Sequence, residues 1–530
     1  MKSRLLVLPT IVLLAATMPL AQQRTRPEGR ASTDEKAERA AVGELVALLS
    51  LPNVATDQAD IHRNAEYLRL AFERRGFQME VVETSHSPVV LGELRTPGST
   101  RSLTFYAHYD GQPVIPSEWK DSGPFQPILR DGALEQGARV VQMPDSGPLD
   151  RNWRVYARSS SDDKGAIAAL LAALDQVRTS GGAVTSTIRV ILEGDEEAGS
   201  PVLEQVVTAR ARPEALASNT SGTSGLQTGS NLVIMMDGPR HASGRPTFFF
   251  GARGIVSAEI AVFGAKHDLH SGNYGNWAPN PALELARLLA SMKDDSGKVT
   301  IAGFYDDVVP LTAEEKRAIA EIPEVERDQM RAFGFARPES AGQGSSLAGP
   351  RLEERHNLPA FNISGLGSGT VAGQGRTIIP SVAIARIDMR LVKAIEPAKQ
   401  MARLRAHIER QGYHLIAGEQ PTDEDRARYP KLARLTQFEG YPAGRTSIDQ
   451  PTARAVVAAV AAAPGAGAPI RYPTLGGSAP FYVFTDRLRV PTIGMPIANY
   501  DNNQHGPNEN LQFGAFFDGI AAIAAILTMR

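Results

Sequence analysis

Five places in the sequence put imidazole or carboxylate groups where a chain could do chemistry with them. His108 and Asp110 follow the apolar run LTFYA. Glu196 and Glu197 follow RVILEGD, Asp237 follows NLVIMM, and His505 follows VPTIGMPIANYDNNQ. Asp162, in SSSDDKGAIAALLAAL, stands just before a helix pattern. Singly, each has an ordinary reading: a strand-end Asp serves turns, and an acid before a helix serves as cap and dipole partner. Gathered in one place, several carboxylates would repel one another and shift their pKa values sharply. A divalent cation relieves that repulsion. Two His and three carboxylates, with a fourth carboxylate spare, suit a two-metal site with one bridging carboxylate. Imidazole with carboxylate favours Zn, with Mn or Co as competitors. Asp110, one strand step beyond His108, is placed to accept the other ring N–H of that histidine, which fixes the tautomer.

Such a gathering needs elements that converge. The segments QMEVVET, LTFYAHY, TSTIRVILEG and NLVIMMD read as strands, and residues 35–51, 61–75, 166–177 and 201–210 read as helices. Apolar strands alternating with helices predict an α/β fold with a mainly parallel sheet covered on both faces. Ligand chemistry in such sheets sits at the carboxyl ends of the strands. Residues 218–230, SNTSGTSGLQTGS, read as a surface loop. Near Phe248 the pattern changes: GIVSAEIAVFG and IPSVAIARIDMRLV alternate like half-exposed strands, and residues 280–292 and 397–411 read as helices. These predict a small α+β unit inserted into the larger one, with residues 294–354 polar and irregular. The α/β character returns from Tyr441 with AVVAAVAAA and VPTIGMPI.

The 530 residues exceed one ordinary domain, with 42% hydrophobic and 22% charged content. A net charge of −2 gives no footing for nucleic acid or an anionic membrane as partner. The absence of cysteine excludes disulfides, thiolate nucleophiles and Cys-type zinc sites. Residues 1–21 have Lys2 and Arg4, then an apolar run too short to span a bilayer, then small residues. This is the layout of a signal peptide, so the expectation is an exported protein, periplasmic or secreted, free of the membrane after cleavage.

In this order, HYDGQPV, SSDDKGAIAALLAAL, EGDEEAGSP, DLHSGNYGN, RTIIPSVAIARIDMRLV, LGGSAPFYVF and HGPNENL resemble the M20 metallopeptidases. FYDDVVPL and the long inserted segment resemble the branch of carnosine and non-specific dipeptidases. The resemblance implies a zinc-exopeptidase-like catalytic domain at residues 28–245 and 441–530. An inserted lid and dimerisation domain at residues 246–440 would interrupt it, and the protein would be a homodimer. It implies two metal ions bridged by Asp162, one completed by His108 and Asp237 and the other by Glu197 and His505. Glu196 becomes the general base, with Asp110 beside His108. His270 becomes the oxyanion group, and Thr377, Arg390 and Ser478 contact substrate. The implied substrate is a dipeptide or short peptide; the alternatives are an N-acyl-amino-acid amidase and an inactive metal-binding protein. Two departures stand out. The family's Gly-Arg-Gly before the bridging Asp is Ala157-Arg158-Ser159 here, and no His lies between His414 and His505, where Tyr441 is near the expected position.

Overall fold

The computed structural model describes residues 31–210, 231–339, 351–370 and 375–530. The signal reading of residues 1–21 and the loop reading of 218–230 lie outside the described residues.

The larger sheet has eight strands, in the order Gln78–Val82, Val89–Leu94, Thr187–Glu193, Ser102–His108, Leu232–Met235, Thr492–Gly494, Thr247–Phe249, Ile470–Tyr472. Its centre is parallel, from Thr187–Glu193 through Ser102–His108 and Leu232–Met235 to Thr492–Gly494. These strands are apolar on both faces because both are covered. Leu103, Phe105, Ile188 and Val190 pack into one core with helices Ala31–Leu49, Lys164–Thr179 and Phe513–Leu527. Tyr106, Ile191, Val233 and Met235 pack into another with helix Leu203–Arg210 and with Phe481 and Phe484.

The inserted unit is antiparallel along Ala360–Ser368, Val382–Leu391, Gly251–Phe263 and Leu432–Tyr441. Helices Pro281–Ala290 and Pro397–Arg410 bury Leu285, Leu288, Leu404 and Ile408 against Val256, Ala258, Ile387 and Met389. The alternation read in the sequence is this one-faced burial. Among the described residues no helix is long and apolar enough to cross a membrane.

The structure differs from expectation in four places. Strand Val89–Leu94 runs antiparallel to both neighbours. Gly92 obscures it in sequence, yet a Cβ there would meet Met79 and Val190. Residues 294–354 are not irregular throughout: they hold helices Ala313–Ala320, Glu326–Phe333 and Leu352–Arg355. The first opens with a capping box between Thr312 and Glu315. Its Ala318 joins the core of the larger unit, and Glu315 pairs with Arg445, so this helix leans on the larger unit, whereas Val299, Ile301 and Phe304 join the core of the insertion. Thr247–Phe249, on the insertion side of the expected boundary, belongs to the larger sheet, and the chain changes sheets at Phe250. The apolar helix Phe513–Leu527 was also unforeseen.

Candidate active site

The parallel centre delivers the expected groups to one end. His108 terminates its strand, with Nδ1 3.2 Å from the Asp110 carbonyl oxygen and 3.3 Å from Asp110 Oδ1. Asp110 has a second task that sequence did not suggest. Its carboxylate accepts from the backbone N–H of Glu196, at 3.2 Å, and of Glu197, at 3.0 Å. The residue that orients His108 thus also fixes the short turn Glu196–Ala198.

That leaves His108 Nε2 free to face Asp162 Oδ1 at 2.9 Å. His505 Nε2 lies 3.0 Å from Asp162 Oδ2 and 3.5 Å from Glu197 Oε2. The donor atoms fall into two groups, His108–Asp162–Asp237 and Asp162–Glu197–His505, each with its atoms within 4.8 Å of one another. Asp162 is common to both; Glu196 belongs to neither. Imidazole nitrogens and carboxylate oxygens at this spacing fit two divalent cations, each held at about 2.0–2.2 Å.

The electrostatics agree with that fit. Burial, then the charge of Asp162, pushes Glu197 up to about 7 and Asp237 up to about 6. Burial, followed by the charges of Asp237, Glu197 and Asp110, pushes Glu196 well up. The hydrogen bond to Asp162 raises His505 to about 8. Burial would raise Asp162 too, but hydrogen bonds with His108 and His505 outweigh it and hold its carboxyl low. Left to themselves, then, Glu196, Glu197 and Asp237 tend to hold protons and the imidazoles to gain them, while Asp162 stays ionised between the two rings. Metal ligands need the opposite, and a cation's charge reverses both tendencies.

Sequence reasoning missed the group that shapes the bridging loop. Glu509 is fully buried, and its carboxylate accepts five hydrogen bonds: from Arg158 Nη1 at 2.8 Å, Ser159 N at 3.0 Å, Ser161 N and Oγ at 2.9 Å each, and Asp162 N at 3.0 Å. It lies in the quoted HGPNENL, four residues after His505, and this adjacency was the available signal. Ser159, where the resemblance leads one to expect glycine, has φ 62°. That left-handed backbone is uncommon for serine. Asn53 Nδ2 donates to its hydroxyl at 2.9 Å, so the side chain is used rather than merely tolerated. Behind the Glu196 turn, buried Glu193 accepts from Tyr106 and from Ser200, whose Oγ is 3.2 Å away. Gln112 and Gln504 donate to Glu197 and Asp162 at 2.7 and 3.1 Å.

The remaining predicted residues separate into two sets. Arg390 Nη1 donates to Ser478 Oγ at 2.7 Å, joining the inserted sheet to the segment 475–478. His270 and Thr377 sit together on a two-stranded ribbon, with Ser271 N donating to Thr377 O at 3.1 Å. Both are exposed. The His270 ring accepts one bond, from Gly272 N at 3.1 Å, and no hydrogen bond or ion pair links it to the acidic cluster among the described residues.

A sheet whose parallel strands end in two ligand sets sharing one carboxylate, with an uncommitted Glu alongside, defines a metal-dependent hydrolase. The sequence profile described as "Peptidase family M20/M25/M40" matches residues 104–529, and the chain belongs to this family. It is 23% identical to the Cys-Gly metallodipeptidase DUG1 of Saccharomyces cerevisiae over 505 residues, covering 91% of this chain and 94% of that one. It is 27% identical to the Beta-Ala-His dipeptidase of Homo sapiens over 327 residues, 61% of this chain and 56% of the relative. Among solved structures, the M20 family metallo-carboxypeptidase Sso-CP2 from Sulfolobus solfataricus superposes with a TM-score of 0.72 at 25% identity, over 92% of this chain and 98% of that one.

Proposed function

We propose that this enzyme is a two-zinc exopeptidase that cleaves dipeptides or short peptides bearing a free carboxyl terminus. The observation that carries the reading is the pair of ligand groups meeting at Asp162 with Glu196 left over. The names of its relatives, dipeptidases and a carboxypeptidase, support the substrate class. His108, Asp162, Asp237, Glu197 and His505 would hold the ions. Bound there, divalent cations polarise the scissile carbonyl and bring the pKa of water toward 7.

The chain's own residues do the rest. Glu196 takes a proton from the attacking water as the new C–O bond forms, then returns it to the amide nitrogen as the C–N bond breaks. Arg390, held by Ser478, supplies a planar cation for the substrate carboxylate. His270, brought in by lid closure or by a second copy of the chain, stabilises the oxyanion. Its place on an exposed ribbon beside Trp277, 79% exposed, suits a homodimer formed through the lid. Residues 1–21 act as an export signal, checked by the amino terminus of protein recovered outside the cytoplasm.

The deciding experiment offers dipeptides and N-acyl amino acids to protein loaded with Zn, Mn or Co, with metal stoichiometry measured alongside. The expected result is two ions per chain and dipeptide hydrolysis, highest with Zn. Turnover of N-acyl amino acids alone would make the enzyme an amidase. Two bound ions with no turnover would make it a metal-binding protein.

A further inference from the structure

The inserted sheet buries one face against its helices, and at one end of its other face the charges of Glu196 and Asp237 bear on Tyr441. Opposed residues of antiparallel neighbours share a face. Ile255 stands opposite Arg390 on one side and opposite Tyr441 on the other. Its neighbour Val256 points into the helix-covered core. Tyr441, Ile255 and Arg390 therefore form a row on the uncovered face, about 10 Å from end to end at two strand spacings.

One segment supports both ends of this row. Ser478 accepts the Arg390 hydrogen bond at 2.7 Å. Tyr482, four residues on, stacks against Tyr441, with ring centroids 5.6 Å apart and planes 18° apart. The Tyr441 hydroxyl has no hydrogen-bond partner among the described residues, while the charges of Glu196, Arg390 and Asp237 all bear on it. A rigid aromatic surface with an unspent donor thus borders the space between the proposed general base and the proposed carboxylate anchor.

We infer that Tyr441 is the specificity-determining residue for the amino-terminal side of the scissile bond, and that it selects an aromatic or large aliphatic residue there over glycine or an acidic residue. The inference rests on the peptidase reading. A carboxylate held by Arg390 puts the scissile carbonyl about 3.5 Å further along, one residue of chain. The side chain beyond it then reaches the far end of the row, where Tyr441 and Tyr482 offer a flat apolar wall. An acidic side chain would instead lose its hydration against that apolar wall.

The test compares wild type, Tyr441→Ala and Tyr441→Phe on Phe-Gly, Leu-Gly, Gly-Gly and Asp-Gly. Wild type is expected to favour Phe-Gly and Leu-Gly over the other two by about tenfold or more in kcat/KM. Tyr441→Ala should lose that preference chiefly through KM, with kcat/KM on Phe-Gly and Leu-Gly falling at least about tenfold further than on Gly-Gly, and Tyr441→Phe should retain it. Equal losses on all four peptides, or no preference in wild type, would overturn the inference. Calorimetric binding of the same peptides to metal-loaded Glu196→Gln protein, with and without Tyr441→Ala, separates this idea from the peptidase reading. If the peptides bind but none is cleaved by wild type, the peptidase reading fails alone. Unchanged affinities on removing the Tyr441 ring defeat the specificity role, and no binding to either protein defeats both.

Discussion

The bridging loop around Asp162 and the ribbon that carries His270 both present predicted site residues, but they are built in opposite ways. Asp162 is buried, its peptide is held by a five-bond carboxylate, and both its oxygens face histidines. His270 is exposed, and its ring has one hydrogen bond, within its own turn. Metal ligation needs donor atoms fixed before the ion arrives, so dense bonding suits the first region. A group needed only in the transition state can arrive by closure, and sparse contacts leave it free to move.

The sharpest break in this comparison is Asp162→Ala. One carboxylate serves both groups, so this variant should lose both ions and fall to background activity; elemental analysis that still finds two ions would refute the shared role. Glu196→Gln should keep both ions and the fold while kcat drops by about 10²–10⁴-fold, the range for loss of a general base. Activity within tenfold of wild type would take that role from it. His270→Ala should lower kcat by about 10²–10³-fold, as removal of an oxyanion donor does, with metal content and melting temperature unmoved. A fall in metal content would show the ribbon to be part of the rigid site after all. Mixing His270→Ala with Glu196→Gln subunits should restore some activity if the histidine acts across a dimer.

Glu509→Gln probes the rigid side more gently. An amide in place of the carboxylate sets N–H against N–H in the bridging loop, and metal affinity should fall by about 10–100-fold. Chelator competition measures this without reference to turnover; unchanged affinity would make the brace dispensable. The smallest effect lies where the two sheets join. Burial, with the charge of Arg253 beside it, holds His356 down at about 4, against an unperturbed 6.5. Between those values the unfolded chain binds more protons than the folded one, so His356 contributes stability above pH 6.5 that is lost as the pH falls toward 4. The melting-temperature lead of wild type over His356→Gln should shrink between pH 7 and pH 4.5, and a constant lead would mean the ring is not held neutral by the fold.

Much of the site was legible because it sits where simple rules apply. The strand-end positions of His108, Glu196, Glu197 and Asp237 follow from short apolar runs that only a covered parallel sheet can bury. Helix Ala313–Ala320 was not legible. Its core contact is made by Ala318 amid charged residues, with Ile319 buried beside it, and the surface that receives Ala318 comes from another part of the chain. Glu509 escaped because a single Glu after a histidine has no periodic signature; its five donors come from a loop some 350 positions earlier, Glu509 to Ser159 being separated by 350.

By itself the sequence determined the kinds of donor available, the two sheet types and the order of the ligand-bearing segments, because these depend on side-chain chemistry and local periodicity. Only the tertiary structure decided that Glu509 braces the loop of Asp162, that Asp110 clasps the Glu196 turn as well as His108, and that Tyr441 and Arg390 share a row. Those facts depend on register and on distances between segments hundreds of residues apart. Such distances are set by how the two cores pack, and local sequence does not encode them.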